Sequence, residues 1–265
     1  MSSFIEIPIL ISSSTSAGAY NVSAGIDQFD VSFRNEIKIP QHARNITVEV
    51  ANASIWHTAF NISAALNNNK FYLDVNFDTV YTVTIPDGLY DLTSIAAAIN
   101  VSLVNQNLPS NVISFTADTA TQKVIINYSV MGLRVDFTQA NTCRSVLGFN
   151  SAVVPAAYTT DNISIYADVS AYFNLIDYFL IHSSIVSGGL SINGTLSSIA
   201  ARVLITATMG SQILYTPHIP TRIPCGHLVG STITNLHSWL SDQDGNAVNT
   251  NGEDWSYLCI IRYQI

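Results

Sequence analysis

The chain predicts a mainly β fold: a single jelly-roll β-sandwich with an inserted small α+β domain. Three observations predict it. Apolar and polar residues alternate with period 2 over several strand-length runs separated by turn-rich loops. Apolar residues take helical spacing over residues 91–105, with strand patterns before and after. Only 11% of residues are charged and 48% are apolar, much of the remainder being Ser, Thr, Asn and Gly. That balance suits packed strands whose loops rely on neutral hydrogen bonds.

Residues 1–26 read as an extended N-terminal arm, small and polar from Leu10 to Ile26, of the kind ordered by a neighbouring chain. Phe29 to Arg34 and Asn45 to Ala53 alternate as half-buried strands. Phe71–Phe77 and Val80–Ile85 predict a hairpin turning near Asp78 and Thr79. Leu92, Ile95, Ile99 and Leu103 share one helical face, with Asp91 or Thr93 as the N-cap. Strands follow at Val112–Thr116, Lys123–Tyr128 and Leu133–Phe137, then a short helix Thr142–Leu147 stopped by Gly148. Later strands are Tyr178–Val186, Ala201–Thr208, Gln212–Thr216, Ser231–Ser241 and Trp255–Tyr263, the last two joined as a hairpin through Asp242-Gln-Asp-Gly-Asn. The organisation is an arm (1–26), a jelly roll (27–69 and 161–265) and an inserted α+β domain (70–160).

Net charge is −8, and the ten Lys and Arg are scattered, so no basic patch exists to neutralise phosphates; direct nucleic-acid binding is not expected. Mean hydropathy is +0.29. No uncharged apolar run reaches the ~18 residues of a transmembrane helix, so the surplus apolar surface predicts contacts with other chains and an oligomer. Met1 to Pro8 lacks a basic n-region, and Glu6 and Pro8 interrupt any apolar h-region, which predicts folding in a reducing compartment. Three cysteines, Cys143, Cys225 and Cys259, fit buried free thiols. Eight N-x-S/T triplets, Asn193 among them, follow from an Asn- and Ser-rich composition.

The sequence offers no catalytic residue, no cofactor site and no metal ligand, and predicts that the protein is not an enzyme. Asp242, Asp244, Asn246 and Glu253 fall at positions 1, 3, 5 and 12 of a calcium loop, but Ala247 stands where its glycine is needed. No G-x-S-x-G, P-loop, G-x-G-x-x-G or H-E-x-x-H occurs. His182 lies in an apolar run and reads as a buried, hydrogen-bonded side chain; His218 and His227 lie in a Pro-rich loop, and Cys225 with His227 makes only half of a metal site. Trp239 and Trp255 read as cross-strand core partners, and Trp56 as more open.

The segments Asp87-Gly-Leu-Tyr-Asp-Leu-Thr-Ser-Ile-Ala-Ala-Ala-Ile-Asn, Phe115-Thr-Ala-Asp-Thr-Ala-Thr-Gln-Lys-Val and Arg134-Val-Asp-Phe-Thr-Gln-Ala-Asn-Thr-Cys-Arg-Ser-Val-Leu-Gly-Phe-Asn resemble the inserted region of penton (vertex) capsid proteins of virophages and Polinton-like viruses. The segment from Trp239 to Asn246, with Asn251 to Arg262, resembles the closing hairpin of the same proteins. The resemblance covers about residues 70–265. It implies a virion protein with a single jelly roll, standing as a homopentamer at icosahedral fivefold vertices among trimers of a double-jelly-roll major capsid protein. Adenovirus penton base is a more distant relative in kind, and no Arg-Gly-Asp occurs here. The resemblance also leaves room for a host receptor or vertex fibre as partner, and implies assembly inside the host cell. Two rivals stand beside it: a viral or phage receptor-binding, lectin-like module using the insert or Trp56, and a jelly-roll glycoside hydrolase, for which Asp168 and Asp177 are the nearest acids to strands.

Overall fold

The computed structural model describes residues 4–76, 79–190 and 197–265. The chain forms two compact units, one of Met1–Ala59 with Ile176–Ile265 and the other of Phe60–Leu175. The first unit opens with β1 (Phe4–Ser12), a 3-10 turn (Thr15–Ala17), β2 (Ala19–Tyr20), β3 (Gln28–Lys38) and β4 (Arg44–Trp56). The second holds β5 (Lys70–Val75), β6 (Thr79–Thr84), α1 (Leu92–Asn105), β7 (Ile113–Asp118), β8 (Lys123–Tyr128), β9 (Leu133–Asp136), α2 (Arg144–Leu147), β10 (Val153–Val154) and β11 (Ile163–Tyr166). The chain then completes the first unit with β12 (Tyr178–Ser183), β13 (Ile199–Leu204), β14 (Gln212–Tyr215), β15 (Ile223–Pro224), β16 (Thr232–Ser241) and β17 (Ser256–Gln264).

The first unit is a jelly-roll-like sandwich of two antiparallel sheets. One runs β1-β17-β4-β14, with β15 also on β4; the other runs β13-β12-β16-β3-β2. Alternation turns one row of each strand inward. Ile11, Val48, Ile55, Tyr257 and Ile261 from the first sheet meet Phe29, Phe179, Ile181, Leu236 and Leu240 from the second in one core. Trp255, just before β17, stands edge-on to Phe29 at 5.1 Å. Its Nε1 donates to the Ile26 carbonyl at 2.7 Å, so the large ring is buried with its polar atom satisfied.

Residues 4–12 are not a free arm. They pair along their full length with β17, from Phe4 opposite Gln264 to Ser12 opposite Ser256. Ile5, Ile7, Ile9 and Ile11 alternate with Phe4, Glu6, Pro8 and Leu10, and the isoleucine row joins the core. Pro8 is tolerated because β1 is a sheet edge, where a missing N–H disturbs no second ladder. The expected hairpin of residues 231–263 is also corrected. The turn is there: Asp242 Oδ1 accepts from the Asp244 and Asn246 amides at 2.9 and 2.8 Å, and Ser241 bridges Ala247. Beyond it the strands part, β16 joining β3 and β12 while β17 joins β1 and β4. Trp239 therefore lies on the outer face of its sheet instead of packing on Trp255.

The second unit carries its own core. Its sheets run β10-β9-β5-β6 and β11-β8-β7. Helix α1 buries Ile95, Ile99 and Leu103, and Asp91 and Ser94 form a reciprocal capping box at its start. Phe71 meets Phe115 and Phe137 edge-on at 5.8 and 6.1 Å, and Phe137 stacks on Phe149 at 5.0 Å. Helix α2 ends at Gly148 with φ +83°, and a Cβ there would stand 2.3 Å from the Val169 carbonyl oxygen, so only glycine fits. This unit is wider than the 70–160 expected for the insert. The reason is Asn61, 2% exposed, whose side-chain amide donates to the Tyr90 and Phe173 carbonyls at 2.6 and 2.8 Å while its oxygen accepts from the Tyr90 amide at 2.8 Å. Those bonds tie both flanking segments into the unit. The turn residue Asp78 and the triplet at Asn193 lie outside the described residues.

Candidate functional surfaces

Each flank of the sandwich is a place where consecutive strands cross from one sheet's edge to the other's. β1 and β2 make one crossing, β13 and β14 the other. An edge strand presents unpaired N–H and C=O groups to whatever lies beside it. At the β13–β14 flank the edges enclose an open cavity of about 290 Å³ lined by Leu204, Ile213, Leu214 and Tyr215. Leu204 and Leu214 are 51% and 71% exposed there. On the opposite edge Phe4 and Leu10 are 58% and 70% exposed. Exposed apolar side chains are common singly; these stand beside strand edges whose outer backbone groups lie open.

The outer face of the first sheet joins apolar and charged groups. Pro8 lies opposite Ile260 and Leu10 opposite Leu258. Beside them Glu49, 5% exposed, is held under two guanidinium groups: Arg222 Nε donates to it at 3.0 Å, and Arg262 Nη2 lies 3.6 Å away while reaching Glu6 at 2.7 Å. The outer face of the second sheet is aromatic and titratable. His182 stacks on Trp239 with centroids 4.7 Å apart, and His237 lies 5.1 Å from the same indole. His182 is bonded through both nitrogens, to Ser198 and Ser241. Burial pushes its pKa down to about 4, so the ring is neutral above that. His237 meets Asp30 at 2.8 Å. A hydrogen bond from Asn21, opposed by burial and aided by His237, holds the Asp30 carboxyl below the ordinary range.

The residues weighed for chemistry are not brought together. Asp242 uses its carboxylate to close its own turn, accepting from Asp244 and Asn246. Cys225 is buried in the sandwich core while His227 is exposed and bonded to Ser187, so that pair is pulled apart. Asp168 accepts from the Asn150 amide in one unit, whereas Asp177 belongs to the other. Trp56 is half-buried at the end of β4, opposite Gln212. Among the described residues, no group of three or more His, Cys, Asp or Glu is placed to hold a metal. Burial raises the thiols of Cys143 and Cys259 to about 12 and of Cys225 to about 11, which leaves them protonated. Among the described residues no helix is long and apolar enough to cross a membrane.

Among solved structures, the chain is similar to the mavirus penton protein. The likeness covers 99% of this chain and 100% of that one, with a TM-score of 0.53 and 12% sequence identity. At that identity the likeness is one of fold. No family model matches the chain, and no curated protein sequence matches it.

Proposed function

We propose that this chain is a non-enzymatic structural protein of a viral capsid, the penton subunit that closes the fivefold vertex as a homopentamer. One observation carries the proposal: the likeness to the mavirus penton protein runs end to end, taking in the inserted unit as well as the sandwich. A jelly roll by itself hosts many functions, so a match limited to it would say little. In this reading the two flanks of the sandwich meet head-to-tail between neighbours, and a heterologous contact of that kind closes into a ring. Exposed Leu204 and Leu214 on one flank, and Phe4 and Leu10 on the other, are the apolar groups such a ring would cover. The remaining contacts go to the surrounding major capsid protein of the double-jelly-roll kind, and the protein resides in the virion.

Native mass spectrometry and electron microscopy of the purified chain, together with a reconstruction of the parent particle, test this. Five-membered rings, or density for the chain at the fivefold axes, are the expected result. A particle whose fivefold vertices are built from another protein would end the proposal.

A further inference from the structure

We infer that the inserted unit contains a binding pocket for an acidic saccharide, a sugar bearing a carboxylate. The pocket is an open cavity of about 580 Å³ whose lining, among the described residues, belongs to the inserted unit. That volume falls in the range of small-ligand sites. Its wall is rich in side-chain amides, contributed by Asn67, Asn68, Gln139 and Asn141. Asn67, Gln139 and Asn141 are exposed, and an amide offers both donors and acceptors, the complement of sugar hydroxyls, while Asn68 serves to hold the wall. Thr138, Ser145 and Ser151 add hydroxyl groups, and Leu66, 49% exposed, offers an apolar patch for the C–H face of a ring.

Charge decides the ligand class. The chain as a whole is at −8, yet among the described residues no Asp, Glu or His lines this pocket and one cation, Arg144, does. Arg144 is half-buried, and among the described residues no carboxylate lies within ion-pair distance of it. Its Nη1 donates to the Phe137 carbonyl at 3.0 Å, which holds the guanidinium in place. The other guanidinium N–H groups remain for a carboxylate, which the planar fork takes in two parallel bonds.

The wall is held before any ligand arrives. Asn68 is 6% exposed: its oxygen accepts from the Ser63 amide at 2.9 Å and its nitrogen donates to the Asn61 carbonyl at 2.7 Å. Asp136 accepts from the Thr138 amide and hydroxyl and from Gln139 Nε2, at 2.9, 2.6 and 2.7 Å, which fixes that side. Thr142 also lines the pocket; it is 6% exposed, and its Oγ1 is buried with no hydrogen-bond partner among the described residues. Buried polar atoms are nearly always paired, so this one marks an unmet hydrogen-bonding group in the wall. Prepaid order of this kind limits what binding loses in entropy. The site does not depend on the capsid reading.

The test is a nuclear magnetic resonance titration of the full chain, following the amide signals of residues 66–68 and 138–145. N-acetylneuraminic acid and galacturonic acid are the probes, with galactose and acetate as controls. Saturable shifts in these segments with an acidic sugar, and weaker ones with galactose and with acetate, are expected. Arg144→Gln should weaken acidic-sugar binding about tenfold or more, the scale of a charge-assisted pair. Ser145→Trp, a change at an exposed position of α2, should block the pocket without touching the core. Thermal unfolding of both variants close to that of the parent chain shows that they remain folded. The inference is overturned if no acidic sugar shifts these signals, if acetate or galactose binds equally well, or if a folded Ser145→Trp chain binds undiminished. Ring formation by these variants is a separate readout that bears only on the capsid proposal.

Discussion

The two units differ most in how far their strands reach along the chain for partners. In the inserted unit β5 pairs with β6 and β7 with β8 as hairpins, β9 with β10 and β8 with β11 close over short stretches, and the longest ladder, β5 with β9, still joins strands of the same unit. In the sandwich the main ladders join opposite ends of the sequence: β1 with β17, β4 with β17, and β3 with β16. Local pairing repays loop-closure entropy early, while distant pairing repays it only when most of the fold is in place. Contact separation therefore predicts that the inserted unit forms by itself, whereas the sandwich needs strands from both ends of the sequence. A long insertion is tolerated because loop closure grows only slowly with loop length.

Deleting residues 1–12 should have the largest effect. Burial of Ile9 and Ile11 contributes roughly 3–6 kcal/mol together at about 1.5–3 kcal/mol each, and a nine-residue ladder goes with them. Against a typical stability of about 5–15 kcal/mol, the sandwich should unfold while the inserted unit keeps its structure. Circular dichroism and proteolysis of the deletion variant read this directly, and loss of both units together would refute the independence of the insert.

Trp255→Ala in the sandwich and Phe137→Ala in the insert should each cost about 3–5 kcal/mol. The cysteines report which unit opens, since Cys225 and Cys259 lie in the sandwich core and Cys143 in the core of the insert. Under mild denaturant, thiol labelling should rise first at Cys225 and Cys259 in Trp255→Ala, and first at Cys143 in Phe137→Ala. Labelling of all three at equal rates in both variants would mean a single cooperative unit.

Acid should act on the sandwich. His182 is neutral in the fold down to about pH 4, whereas in the unfolded chain it takes a proton near the usual ~6.5. Below about 6.5 the unfolded chain binds the extra proton, so this contribution is fully present above that pH. It is lost progressively as pH falls toward 4. After solvent screening of the partly exposed ring it amounts to about 1–2 kcal/mol. His182→Asn should flatten this limb in urea midpoints measured against pH. The smallest effect belongs to the insert. Asp91→Ala removes the cap of α1 at a cost of about 1 kcal/mol. The Ser94 hydroxyl and amide hold the Asp91 carboxyl below the ordinary range, so the cap is intact above the unfolded value of ~3.9 and weakens as pH falls below it. The helix signal in amide exchange is the measurement.

Local chemistry in the sequence reached about as far as local structure did. Asp91, the Ile95–Ile99–Leu103 face and Gly148 each state their own role, and the structure puts a cap, a buried face and a left-handed stop there. Turn chemistry at Asp242–Asn246 was equally readable, but a turn does not say which sheet each departing strand will join. Trp239 was therefore expected in the core and lies outside it. Residues 4–12 show alternating isoleucines; Pro8 and the polar run after Leu10 disguise them as an arm. The width of the insert rests on Asn61 reaching Phe173, a contact across more than a hundred residues that no window contains. The amide-lined pocket was hidden for the same reason, because its walls come from residues 66–68, 138–142, 144–145, Ser151 and Leu175.

Topology also sets a timetable on the ribosome. β3 is complete at Lys38, yet its partner β16 begins only at Thr232. At about 5–20 residues per second, synthesis leaves the first four strands without most of their mates for roughly 10–40 s. During that interval Phe29, Val48 and Ile55, which end with no exposed surface, are open to water and to other nascent chains. Slowed translation ahead of β16 should therefore lower the soluble yield of the chain.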